Sequence, residues 1–213
     1  MKQGEEKKKI KVCGVARAAQ ISQLGDLGVD YCGMIFYEKS PRFAGKTLEA
    51  SQIKALHIPK KVGVFVNASI EEIRTRIKAY GLDMVQLHGD ESPEFCAALA
   101  AETSVVKAFR IRQAEDIPQV DAYEEYCTYF LFDTAGPLYG GNGVPFDWKL
   151  LDSYTGSVPF FLSGGIGPAD TARLAAFSHP AWQGIDINSR FEIRPGEKNL
   201  EDIKRFLWDL NIT

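Results

Sequence analysis

The chain has 213 residues, 45% of them hydrophobic, and 25 lysines and arginines set against 28 aspartates and glutamates leave a formal net charge of −3. That length supports one sizeable core or at most two small ones. The mild, interspersed charge excludes the basic face of a nucleic-acid binder, and no window approaches the roughly 18 apolar residues of a membrane span.

Residues 1–8 open the chain as a short charged lead-in, MKQGEEKK, followed by no apolar stretch, so no secretory signal is expected. From residue 9 to 213 a single domain is expected. Apolar runs recur roughly every 20 to 30 residues: IKVCG, DYCGMIF, KVGVFV, DMVQLH, SVVKAF, YFLFD, VPFFLSG and WQGIDIN. Most gaps hold helix-like stretches, among them SIEEIRTRIKAY, SPEFCAALAAE, ADTARLAAF and LEDIKRFLWDL. Such alternation predicts parallel β/α units, and about eight of them fit one closed (β/α)8 barrel, a TIM barrel, with eight parallel strands surrounded by helices. An open doubly wound sheet is the alternative, but GVARAAQ after the first strand lacks a GxGxxG fingerprint.

The four cysteines, Cys13, Cys32, Cys96 and Cys127, show no CxxC pairing, and His57, His88 and His179 show no HxH or HExxH spacing. Neither a disulfide framework nor a metal site is expected, which suits a reduced, cytoplasmic protein.

Alternation along the strands predicts two faces. The pairs Ile10/Val12, Val62/Val64, Val106/Ala108, Phe130/Phe132 and Ile185/Ile187 are expected to meet the helices. The opposite face would carry Lys11, Cys13, Gln86, His88, Lys107, Asp133, Asp186 and Asn188, many of them at C-terminal strand ends, where barrel chemistry sits.

The segments KVCG, GMIFYEKSPRF, VGVFVN, QLHGDESPEF, FDTAGPLYGGNGVPFDW, LSGGIGP and GIDINSRFEIRPGEKN, in that order, resemble the phosphoribosylanthranilate isomerases of tryptophan biosynthesis over nearly the whole length. SGGI alone would be weak, since many phosphate-binding barrels carry something like it. The resemblance implies a cofactor-free Amadori rearrangement of a small phosphorylated substrate. N-(5-phosphoribosyl)anthranilate would become 1-(2-carboxyphenylamino)-1-deoxyribulose 5-phosphate, by a monomer or a homodimer. It implies Cys13 as general base and Asp133 as general acid, Arg42 on the anthranilate carboxylate, and His88 in contact with substrate. The phosphate is expected at Gly164 and Gly165, before a helix opened by Pro168, with Asp186, Asn188 and Ser189 opposite.

A free cysteine is otherwise a small buried hydrophobe, and as a base it needs help to ionise, for which Lys11 is a candidate. To donate a proton Asp133 must carry one part of the time, which burial or a negative neighbour favours. The YGGNG glycines are expected to let their loop bend close to the substrate. Two positions depart from the family pattern. Ala16 stands where a polar residue is usual, and NSRFE brings Arg190, which could reach the phosphate or cap the barrel mouth. Competing readings are a histidine-pathway isomerase, which would use two aspartates, a metal-dependent epimerase, a Schiff-base aldolase using Lys107, and a barrel that binds phosphate without turnover.

Overall fold

The structure is a computed structural model that describes residues 7–57, 59–134 and 147–210. Eight parallel strands close on themselves in sequence order: β1 (Lys9–Val12), β2 (Tyr31–Ile35), β3 (Lys60–Phe65), β4 (Met84–Leu87), β5 (Ser104–Ile111), β6 (Tyr129–Thr134), β7 (Phe160–Leu162) and β8 (Trp182–Ile187). Closure comes from β1 pairing with β8 in the register Lys11 to Asp186. The expected barrel is therefore the observed one. Of the lead-in, residues 1–6 lie outside the described part, and so do the YGGNG glycines.

The helices begin and end where local chemistry dictates. Ser69 accepts the Glu72 N–H at the start of the helix over Ile70–Tyr80, which stops at Gly81 with φ 62°. Ser92 caps the helix over Pro93–Ala100, with proline in the first turn. Asn199 caps the last helix, Leu200–Asp209, which buries Ile203, Phe206 and Leu207 on one stripe. After β5 and β6 the helical layer is made of 3₁₀ turns instead, Ala114–Tyr123 and Trp148–Ser153. Among the described residues no helix is long and apolar enough to cross a membrane.

The strands carry two apolar clusters. Ile10, Val12, Phe130, Phe132, Ile185 and Ile187 pack outward against the helices, as expected. Tyr31, Val62, Met84, Val106, Ala108, Leu131 and Phe161 fill the barrel itself. The expectation was therefore out of phase on two strands: Val62/Val64 and Val106/Ala108 point inward, and Lys107 points outward. Barrel strands are apolar on both faces, so alternation gives the period without saying which face is which. The outward residues Gly63 and Phe65 serve the helix layer on β3, because a Cβ on Gly63 would lie 2.5 Å from Leu82 Cδ1.

After β8 the chain forms a two-stranded antiparallel ribbon, β9 (Glu192–Arg194) with β10 (Glu197–Lys198). This ribbon brings charged side chains over the C-terminal rim.

Candidate active site

Cys13, His88, Asp133, Gly164, Gly165, Asp186, Asn188 and Ser189 all line one cleft at the C-terminal ends of the strands. Arg190 and Thr134 share that cleft. Eight of the nine expected site residues thus meet in one place. The ninth, Arg42, lies just outside it: its Cδ sits 2.7 Å from where a Cβ on Gly14 would be, and Asn188 Oδ1 sits 2.8 Å from the same point. Gly14 has φ +72° and follows Cys13 directly, so only a glycine lets the arginine pass this close to the thiol.

The thiol sits beside a buried ion pair. Lys11 Nζ donates to Asp186 Oδ1 at 2.8 Å, with both side chains nearly sealed from water. Burial alone would lower the lysine's pKa, but the charges of Asp186 and Cys13 outweigh it and raise the pKa, so Lys11 stays an ammonium. Burial pushes the Cys13 thiol above its ordinary range, against the pull of Lys11. Asp186 is also raised, chiefly by burial, despite Lys11. Its second oxygen lies 3.4 Å from Ser163 Oγ. Asp186 is thus engaged by Lys11 and Ser163.

Asp133 ends β6 with Oδ1 accepting its neighbour's N–H, that of Thr134, at 2.8 Å. Oδ2 lies 3.3 Å from His88 Nε2, and His88 Nδ1 lies 2.9 Å from Gln86 Nε2. These groups approach from β4 and β6, a consequence of the inward phase shared by Met84, Gln86 and His88.

Two successive glycines line one side of the cleft. Gly164 and Gly165 have φ +88° and +69°, a left-handed pair open to few other residues. Neither N–H has a backbone partner among the described residues. Pro168 opens a short 3₁₀ turn, Pro168–Asp170, that runs into the helix over Thr171–Ala176. There Asp170 Oδ2 takes the Gly167 N–H at 2.8 Å. A carboxylate thus occupies the Gly167 donor at that turn. The glycine pair shares the cleft with Asn188, Ser189 and Arg190.

Arg42 is clamped by Glu192, which accepts from Nε at 2.9 Å and from Nη2 at 2.6 Å. Glu192 also accepts from Lys198 Nζ at 2.9 Å and from the Gly196 N–H at 3.0 Å. Lys198 in turn donates to Asn188 Oδ1 at 2.7 Å. Burial opposes ionisation of Glu192, yet the bonds from Arg42 and Lys198 prevail and hold its pKa low. The clamp uses one edge of the guanidinium and leaves the Nη1/Nη2 end for a second carboxylate. Sequence reading missed Glu192 and Lys198, although both lie in the quoted strand-8 segment. Ala16 meets the ribbon, its N–H donating to the Gly196 carbonyl at 3.1 Å, and its Cβ lies 2.8 Å from where a Cβ on Gly196 would sit.

Lys107 does not line the cleft. Its Nζ pairs with Glu91 at 3.2 Å and with the Gly89 carbonyl at 2.9 Å. It is a buried structural cation and no Schiff-base nucleophile for this cleft.

Comparison with known proteins agrees with this geometry. The N-(5'-phosphoribosyl)anthranilate (PRA) isomerase family matches residues 10–208. The N-(5'-phosphoribosyl)anthranilate isomerase of Parabacteroides distasonis is 45% identical over 202 residues, covering 93% of this chain and 91% of that protein. Among solved structures, the phosphoribosyl anthranilate isomerase of Thermus thermophilus superposes with a TM-score of 0.82 at 25% identity, covering 95% of this chain and 98% of that one. Another phosphoribosyl anthranilate isomerase, solved with reduced 1-(o-carboxyphenylamino)-1-deoxyribulose 5-phosphate, superposes with a TM-score of 0.78 at 28% identity, covering 96% and 98%. The chain belongs to the N-(5'-phosphoribosyl)anthranilate isomerase family.

Proposed function

We propose that this chain carries out the Amadori rearrangement of N-(5-phosphoribosyl)anthranilate to 1-(2-carboxyphenylamino)-1-deoxyribulose 5-phosphate, with Cys13 as base and Asp133 as acid. The observation that supports this most is a thiol and a carboxyl facing one cleft between a glycine-lined anion wall and a guanidinium. Asp133 gives its proton to the ring oxygen, and the C1–O bond breaks to leave a protonated Schiff base. The Cys13 thiolate then removes the proton from the second ribose carbon, and the resulting enolamine becomes the amino-ketone. Protons are exchanged but no electrons leave the substrate, so the chemistry calls for no redox partner.

Each end of the substrate has a counterpart. The phosphate suits the N–H groups of Gly164 and Gly165, with Asn188, Ser189 and Arg190 opposite. The anthranilate carboxylate suits the open end of Arg42, which Glu192 holds in one orientation. Lys11 supplies positive potential to the thiol and Asp186 keeps that lysine in place. His88 lies against Asp133.

The test is the loss of phosphoribosylanthranilate fluorescence with the purified chain, beside Cys13→Ser and Asp133→Asn. Turnover by the native chain, cut by roughly a hundredfold or more in each variant, supports both roles. A well-folded native chain without turnover, or variants as active as the native chain, would sink the proposal.

A further inference from the structure

Gln86 is wholly buried inside the barrel, two residues before His88 on the same face of β4. Its Nε2 lies 2.9 Å from His88 Nδ1, and its Oε1 has no partner. The other ring nitrogen, Nε2, lies 3.3 Å from Asp133 Oδ2, close enough for an ion pair but not aligned as a hydrogen bond. An amide N–H facing Nδ1 requires a bare lone pair there, so the ring proton sits on Nε2 and points at Asp133. Turning the amide over would put the ring proton on Nδ1. It would leave the Nε2 lone pair against the carboxylate that Asp133 becomes once its proton is given up, two acceptors face to face. For that ionised state charge selects the first arrangement, although it leaves Oε1 an orphan in a fully buried place. Such an orphan is rare and calls for a reason.

We propose that Gln86 is a positioning residue: it holds neutral His88 with its proton on Nε2, where the ring braces the carboxylate that Asp133 becomes after donating its proton. The proposal rests on the reading of Asp133 as the acid. A tight donor on the resting carboxyl would favour its ionised form and leave less of the protonated acid. The loose 3.3 Å contact avoids this and can shorten as negative charge develops on Oδ2, so the stabilisation is greatest in the transition state. No proton passes to His88 in this scheme. Asp186 of β8, held by Lys11 of β1, also acts electrostatically on both members of the pair, and Cys13 and Arg190 share their cleft.

The test combines nitrogen-15 NMR of histidine-labelled protein with steady-state kinetics on the native chain, Gln86→Met and Gln86→Glu. Two-bond proton–nitrogen correlations report the proton position on each ring, with His88 assigned by its loss in His88→Asn. His57 and His179 serve as internal controls for folding. The native chain is expected to show His88 protonated on Nε2. Gln86→Met should give a mixture, and Gln86→Glu should place the proton on Nδ1 or on both nitrogens. In both variants kcat should fall at least about tenfold, with KM held within about twofold. A native His88 protonated on Nδ1 or on both nitrogens overturns the proposal. So does either readout moving in the variants without the other. If Asp133→Asn turns over like the native chain, the acid assignment fails on its own, because the proton position on His88 is read without reference to activity.

Discussion

Removing the charge at Lys11 tests what drives Cys13. Lys11 Nζ and Cys13 Sγ lie 3.2 and 2.9 Å from the point where a Cβ on Gly33 would sit. They are therefore no more than about 6 Å apart, and at an effective dielectric near 20 the ammonium attracts a thiolate by about 3 kcal/mol. That is roughly a hundredfold in the thiolate population at fixed pH, so Lys11→Met should lower turnover about a hundredfold. The same change strands Asp186 in the barrel, and breaking a buried pair on one side typically costs about 3–5 kcal/mol. That is a large share of a domain's net stability. The companion variant Lys11→Met/Asp186→Asn removes both charges and keeps the test readable if the single variant unfolds. In it the help of Lys11 and the weaker opposition of Asp186 vanish together, so the loss keeps its direction and shrinks. Iodoacetamide labelling of Cys13, followed by mass spectrometry across pH, reads the thiolate directly, and circular dichroism confirms the fold. A folded Lys11→Met protein that is labelled and turns over at native rates would refute the electrostatic argument.

Three further outcomes are expected. Because burial holds the Cys13 thiol above its ordinary range and the working form is the thiolate, kcat/KM should climb with pH on the alkaline side, at higher pH than a free cysteine would require. A pH profile flat from about 7 to 10 would contradict that. Glu192→Gln leaves Arg42 and Lys198 without their shared carboxylate. KM should rise about tenfold with kcat nearly constant, and urea unfolding should show a loss of about 3 kcal/mol or more. Gly164→Ala forces a side chain onto φ +88° with its Cβ 2.6 Å from the Thr134 nitrogen. Stability should fall by about 1–3 kcal/mol and KM for the phosphorylated substrate should rise, as measured by melting and by the fluorescence assay.

Much of this was legible before any coordinates. Eight strands at regular spacing set the barrel, and polar residues at strand ends such as Cys13, His88, Asp133 and Asp186 marked one rim. The phase of β3 and β5 was not legible, because Val62 and Phe65 are equally apolar and only tertiary contacts decide which one meets the helices. The same error put Lys107, which pairs with Glu91, on the face that lines the cleft. Glu192 and Lys198 escaped notice because charge in a loop reads as solvated. Only the ribbon fold after β8 turns them inward onto Arg42 and Asn188. That Asp170 takes the Gly167 N–H is a local detail that spacing cannot reveal.

The lower barrel explains why the upper barrel can be so polar. Tyr31, Tyr129 and Phe161 meet edge to face, with centroids 5.6 Å apart for Tyr31–Phe161 and 5.2 Å for Tyr129–Phe161. With Val62, Met84, Val106 and Leu131 they seal the interior from below. Charges above that plug are screened by little water, so any left unpaired would be expensive. The protein pairs them with one another instead: Lys11 with Asp186, and Arg42 and Lys198 with Glu192. Such pairs act as fixed dipoles that need not reorganise when substrate charge shifts, which is where electrostatic catalysis gains most. The proposed mechanism draws on what lies beside these pairs, the thiol, Asp133 Oδ2, the open end of Arg42 and two glycine N–H groups, as a base, an acid and two anion sites. A barrel that satisfied them internally as well would be more stable and would have nothing left with which to hold or rearrange a phosphorylated sugar.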